Sequence, residues 1–143
     1  MLNISYKYRN QIKDFINNIT FTEFNITDWG TKDIDNMKNR YLNFWVELKD
    51  DKVVGTLGVY EENGCVYIAR VYIDNSLRGS GIATNMMNTA LEYCKSLGYT
   101  KVHLSTIPEM ERANFFYVKM GFKKVPSLPD GTSKNKCCYI KTL

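Results

Sequence analysis

Three apolar segments between residues 42 and 73, separated by two short polar breaks, limit this chain's folding options more than any other feature. Leu42, Phe44, Val46 and Leu48 recur with the period of two that places residues on one face of a strand. Lys49-Asp50-Asp51-Lys52 interrupts the run, and Val53 to Tyr60 is rich in β-branched and aromatic residues that suit a pleated surface. Asn63-Gly64, a strong hairpin dipeptide, then leads into Cys65 to Ile73. Breaks this short make antiparallel hairpins, so three strands follow one another and end at Asp74-Asn75-Ser76.

Beyond them the period changes. Ile82, Met86, Met87, Ala90, Leu91, Cys94 and Leu97 trace one helical face that Gly98 closes. Val102 and Leu104 mark a short strand, and Ala113, Phe116, Tyr117 and Met120 mark a second helix stopped by Gly121. Pro126, Pro129 and Asp130-Gly131 form a loop before a closing strand at Cys138-Tyr139-Ile140. At the front, Ile4, Tyr6 and Tyr8 alternate like a strand, and Ile12, Phe15, Ile16 and Ile19 read as a helix. Ile34, Met37 and Tyr41 permit another helix after the turn-prone Asp28-Trp29-Gly30. The order β-α-(α)-β-β-β-α-β-α-β predicts an α/β chain in the α+β sense, with one mixed sheet and helices on its faces.

The 143 residues, 44% of them hydrophobic, suit a single domain over 1–143 with its own core. No run approaches the roughly 18 apolar residues of a membrane span, and Met1-Leu2-Asn3-Ile4-Ser5 lacks a signal peptide's plan, so we expect a cytoplasmic protein with no membrane partner. Cys65, Cys94, Cys137 and Cys138 have neither disulfide-framework nor metal-ligand spacing, which predicts reduced thiols and no metal. The net charge of +4 is scattered rather than massed in a stripe, which argues against nucleic acid.

Arg78-Gly79-Ser80-Gly81-Ile82-Ala83 joins the third strand to the first long helix. Such a junction leaves backbone N–H groups unpaired at the positive end of the helix dipole, where phosphate binds well. Gly79 and Gly81 permit close approach, and Arg78 adds a partner for phosphate oxygens. A plain tight turn is the other reading of the same residues. The P-loop string is absent, and Thr84 stands where a dinucleotide fingerprint needs a third small residue.

Arg78 to Ala83 resembles the R-x-x-G-x-G/A signature of the GNAT superfamily of N-acetyltransferases. Ala113-Asn114-Phe115-Phe116-Tyr117-Val118-Lys119-Met120-Gly121-Phe122 looks like the family's A-x-x-F-Y-x-K-x-G-F helix, at the expected distance. Asn43-Phe44-Trp45-Val46 and Val53-Val54-Gly55-Thr56 are similar to the central hairpin of one bacterial branch. The resemblance covers about residues 1 to 125. It implies the GNAT fold: a mostly antiparallel sheet of six to seven strands with about four helices, splayed at an acetyl-CoA cleft.

On this resemblance the pyrophosphate of acetyl-CoA would lie on the amides of Arg78, Gly79, Ser80, Gly81, Ile82, Ala83 and Thr84. The pantetheine arm would pair with Val71, Tyr72 and Ile73, Asn114 would touch the cofactor, and Tyr117 would protonate the leaving thiolate unless it is a core aromatic. The implied reaction moves acetyl from acetyl-CoA to a primary amine of a small molecule, amino acid or protein, by direct attack in a ternary complex without metal. A non-catalytic acyl-CoA-binding regulatory module is the alternative.

Two departures bear on that alternative. Where many relatives carry a glutamate base this chain reads Ile68-Ala69-Arg70-Val71, and Met110 replaces a common asparagine. Glu47, Glu61, Glu62 and His103 are the remaining base candidates, and Arg70 either covers the sheet or attracts a substrate carboxylate. Residues 20 to 41 and 125 to 136 carry no readable acceptor chemistry, and the oligomeric state stays open, a homodimer included.

Overall fold

A computed structural model describes residues 6–27 and 29–143. Along the chain run α1 (Arg9–Phe24), α2 (Lys32–Asp35), α3 (Met37–Arg40), β1 (Asn43–Lys49), β2 (Lys52–Glu62) and β3 (Cys65–Ile73). A 3-10 turn (Asn75–Leu77) precedes α4 (Ile82–Ser96), β4 (Lys101–Thr106), α5 (Glu111–Lys119), β5 (Lys123–Val125) and β6 (Cys137–Thr142). The six strands form one sheet in the order β1-β2-β3-β4-β6-β5. Every neighbouring pair is antiparallel except β3 with β4, which are parallel.

The two hairpin breaks behave as their residues require. Asp50 and Asp51 have φ of 51° and 63°, and Asn63 and Gly64 have 52° and 80°. Positive φ at both central residues is what a two-residue hairpin needs to follow the twist of its strands. Strands joined this way meander, so the parallel β3–β4 neighbourhood has to be made by a crossover, and α4 makes it.

Helices cover both faces. On one, α4 and α5 lay Met87, Ala90, Cys94 and Tyr117 against Leu57, Val66 and Val102. On the other, Ile12 and Ile16 of α1 meet Ile34, Met37 and Phe44. The β1 alternation predicted one apolar face, yet Trp45 is buried in the first core while Phe44 is buried in the second. A sheet covered on both sides asks for apolar residues in both registers. The four cysteines are free thiols, three of them buried.

Three elements differ from the sequence expectation. Ile4 lies outside the described residues, but Tyr6 and Lys7 are helical and Tyr8 forms the turn that opens α1. Tyr8 stands four residues before Ile12 and joins that core, so it begins the helical stripe instead of ending a strand. A helix through Ile34, Met37 and Tyr41 becomes two short ones, α2 and α3, and Tyr41 is extended. The β5 strand, Lys123-Lys124-Val125, was not anticipated because three residues carrying two lysines show no apolar period, although such charge suits a sheet edge. Of the turn expected at Asp28-Trp29-Gly30, Asp28 is outside the described residues.

Gly58 marks a close approach between β2 and the aromatic pair Tyr41 and Phe44. A Cβ there would stand 2.6 Å from Tyr41 Cε1 and 2.7 Å from Phe44 Cδ2. Gly58→Ala should therefore cost about 1–3 kcal/mol by overpacking. Urea unfolding checks this, and an unchanged midpoint would mean the aromatic pair yields freely.

Candidate functional site

The ladder between β3 and β4 contains two pairs, Val66 with Val102 and Tyr67 with His103. Past these residues β3 stays with β2 while β4 stays with β6, so the sheet opens like a wedge. A bulge widens it. Gly58 pairs with Ala69 but Thr56 pairs with Tyr72, and Arg70 has a φ of 58°. The extra residue reverses the parity of β3, so Val71 and Ile73 join the face that Val66 and Ile68 already line. Val71 is left without a partner on β2.

Side chains hold this irregular backbone in place. Thr56 Oγ1 donates to the Arg70 carbonyl at 2.7 Å. Arg70 donates from Nε to Asp33 Oδ2 at 3.0 Å and from Nη2 to Asp33 Oδ1 at 2.7 Å, and Nη2 also reaches the Gly30 carbonyl at 2.6 Å. Tyr41 donates its hydroxyl to the same carboxylate. Burial alone would raise the Asp33 carboxyl; hydrogen bonds from Arg70 and Tyr41, with the Arg70 charge, outweigh it and hold Asp33 below the usual carboxylate range. Arg70 projects to the face opposite Val71, where Asp33 engages its guanidinium.

Two cavities meet at the wedge. The larger, of about 730 Å³, runs from Val71 and Ile73 to Gly79, Gly81, Ala83 and Thr84, between the ends of α4 and α5. The smaller, of about 180 Å³, opens on the opposite side among Trp29, Tyr60, Tyr67 and Arg70. Val71, Tyr72, Met110, Ala113 and Tyr117 line both.

At the far end of the larger cavity, Gly79 and Gly81 have φ of 81° and 89°, which a side chain would strain. Gly81 is the N-cap of α4 and no side chain caps the helix, so its first N–H groups are free to meet an anion. Arg78 also lines this end, and its Nη2 lies 2.6 Å from Glu23 of α1. Ser80 and Ile82 are not part of the lining: Ser80 turns its hydroxyl to the Leu77 carbonyl, and Ile82 packs on the core.

The second glycine stop positions Tyr117. The Phe122 N–H donates to the Tyr117 carbonyl at 3.0 Å and the Gly121 N–H donates to the Val118 carbonyl at 3.0 Å, with Gly121 at a φ of 91°. This is a Schellman motif, in which the residue after the glycine packs on the last helical turn. Here Phe122 and Tyr117 are those two residues, their ring centroids 5.9 Å apart. Burial, with Tyr72 and Tyr139 nearby, pushes the Tyr117 phenol above its usual range, so it is protonated at neutral pH. Its hydroxyl makes no protein hydrogen bond among the described residues. Asn114 does not line the cleft. Its amide donates to the carbonyls of Ile107 and Met110, and its Oδ1 accepts from Tyr139 at 2.7 Å.

The sequence profile of the acetyltransferase (GNAT) family matches residues 10–122. This chain belongs to the GNAT acetyltransferase family. A solved GNAT acetyltransferase from Staphylococcus aureus Mu50 is 26% identical, superposes with a TM-score of 0.86, and is matched over 96% of this chain and 94% of its own. PaiA N-acetyltransferase from Thermoplasma acidophilum, solved with coenzyme A, shares the fold at a TM-score of 0.74 and 15% identity, over 96% of this chain and 94% of that one. Human N-acetyltransferase 8B is 31% identical over 64% of this chain and 45% of its own length, so the chain spans less than half of the curated relatives it matches.

The base candidates of this GNAT chain line neither cavity. Glu61 accepts from the Tyr99 hydroxyl, His103 Nδ1 donates to the Val66 carbonyl at 3.1 Å, and neither Glu47 nor Glu62 lines either cavity. The acids that do line the larger cavity are Glu23, Glu109 and Glu111. Sequence reading missed Trp29, Asp33 and Lys136, which come from the loop segments where no period exists. Among the described residues no group of three His, Cys, Asp or Glu is placed to hold a metal, and no helix is long and apolar enough to cross a membrane.

Asp33 stabilises the fold through its charge. Because its folded-state pKa lies below the unfolded one, that stability is complete above the unfolded carboxyl range and is lost as pH falls through the folded value. Wild type should lose it below about pH 4, whereas Asp33→Asn, weaker at neutral pH, should lose less on acidification. Urea unfolding of both proteins at pH 7 and pH 3 measures the difference, and equal acid losses would take Asp33 out of the account.

Proposed function

We propose that this chain transfers an acetyl group from acetyl-CoA to a primary amine by direct attack within a ternary complex. The observation that carries the reading is the meeting of two cavities at Val71, Tyr72 and Tyr117, with an uncapped helix N-terminus closing the larger one. One chamber suits a long anionic cosubstrate and the other a small acceptor.

In this reading the amides of Gly79 to Thr84 and the Arg78 side chain bind the pyrophosphate, with Ser80 and Ile82 contributing backbone alone. Val71, Tyr72 and Ile73 offer their backbone to the pantetheine arm as a neighbouring strand would, in the space that β4 has left. The amine attacks the thioester carbon, the Val71 N–H stabilises the developing oxyanion, and the C–S bond breaks as Tyr117 gives its proton to the thiolate. The ammonium proton leaves through water and Tyr117 is reprotonated. Asn114 acts on this machinery from behind, by holding the start of α5 to β6. At Arg78 the pyrophosphate meets a competitor, since Glu23 already holds that guanidinium.

One observation favours the second reading, a regulatory module that binds acyl-CoA without turnover: among the described residues no carboxylate or histidine lines the smaller cavity. Calorimetry with CoA and thiol release from acetyl-CoA across an amine panel separate the two. We expect binding and turnover, with Tyr117→Phe lowering kcat by about 10²-fold and leaving the KM for acetyl-CoA nearly unchanged. We expect Arg78→Ala to weaken CoA by about tenfold. Full turnover by the phenylalanine variant would remove Tyr117 from the mechanism, and CoA binding without any turnover would establish the module.

A further inference from the structure

We propose that the smaller cavity is an acceptor chamber for a small free primary amine that also carries a carboxylate, as an amino acid does, and that Lys136 is the cation that receives that carboxylate. The proposal rests on the acetyl-transfer reading and adds the class of acceptor to it.

The two cations of the chamber differ in how they are paired. Among the described residues its lining contains Arg70 and Lys136 and no aspartate or glutamate. Arg70 is held by Asp33 and the Gly30 carbonyl. Lys136 differs: among the described residues its ammonium makes no ion pair, and it stands 5.6 Å from the Trp29 ring centroid. Trp29 and the stacked rings of Tyr60 and Tyr67, 5.1 Å apart, form an aromatic wall beside it. Asp130 and Glu62 act electrostatically on Tyr60 and Tyr67, but neither lines the chamber.

Such a chamber discriminates by charge and by size. A polyamine would bring a second ammonium toward Lys136, which makes no ion pair among the described residues, while Arg70 is already neutralised by Asp33; that approach is repulsive. An amine with an adjacent carboxylate offers Lys136, exposed beside the Trp29 ring at the chamber's rim, a charge-assisted hydrogen bond. At about 180 Å³ the chamber is below the roughly 300–1,000 Å³ of pockets that enclose drug-sized ligands, so a multi-ring acceptor cannot enter whole. A lysine side chain fits by size but brings no carboxylate.

The test uses the full chain with saturating CoA and compares leucine, leucinamide, the decarboxylated amine of leucine, and spermidine. Trp29 and Trp45 are the two tryptophans of the chain, so the Trp45→Phe variant makes Trp29 emission report the chamber, and calorimetry on the wild type repeats the comparison without a substitution. Leucine should bind at least about tenfold more tightly than leucinamide or the decarboxylated amine. Lys136→Glu should erase that ratio and Lys136→Arg should keep it. Equal or tighter binding of the decarboxylated amine or of spermidine overturns the proposal, as does binding of none of the probes. Selective binding of leucine without acetylation would overturn acetyl transfer while upholding the chamber; acetylation of all these amines alike would do the reverse.

Discussion

The parallel pairing of Val66 with Val102 and of Tyr67 with His103 ends where a bulge at Arg70 turns β3 away from β4, and the two cavities exist because of that ending. An open wedge in a sheet exposes unpaired backbone, which is costly unless something else satisfies it. The wedge persists because its two sides are anchored separately. β3 is held to β2 by the pairs on both sides of the bulge, and β4 is held to β6 along six pairs from Lys101 to Thr106. Arg70, clamped by Asp33 and backed by Thr56, stops the bulge from relaxing into regular strand.

The helices extend this arrangement to the chemistry. α4 starts at the glycine turn, so its N-terminus points its free N–H groups at the larger cavity, and its body covers the sheet face below. α5 ends in a Schellman stop whose packing contact joins Phe122 to Tyr117. The glycine that terminates the helix thus also orients the phenol. Asn114 ties the beginning of the same helix to β6 through Tyr139.

Charge is distributed along the cleft to match. Helix N–H groups and Arg78 face one end, Arg70 and Lys136 face the other, and the protonated Tyr117 lies between them. In the proposed reaction the uncapped helix N-terminus would meet the cosubstrate's phosphates and Lys136 the acceptor's carboxylate.

The strand meander, the crossover helix, the glycine turn and the Tyr117 helix were legible in the residues, because each is a local matter of period, turn chemistry or capping. So was the family, through two motifs at the right separation. The N-terminal strand was misread because alternation over a few residues fits the start of a helical stripe as well as a strand, and packing against Ile12 chose the helix. β5 has no pattern of its own and forms because β6 offers it an edge. The bulge at Arg70, its clamp by Asp33, and the approach of Trp29 and Lys136 depend on contacts between segments about 40 to 100 residues apart, as the 40-residue separation of Arg70 from Gly30 illustrates. Period and capping reach no further than a turn or two along the chain, so the sequence by itself determined the elements and their order, and tertiary packing decided where the sheet opens and which side chains face the opening.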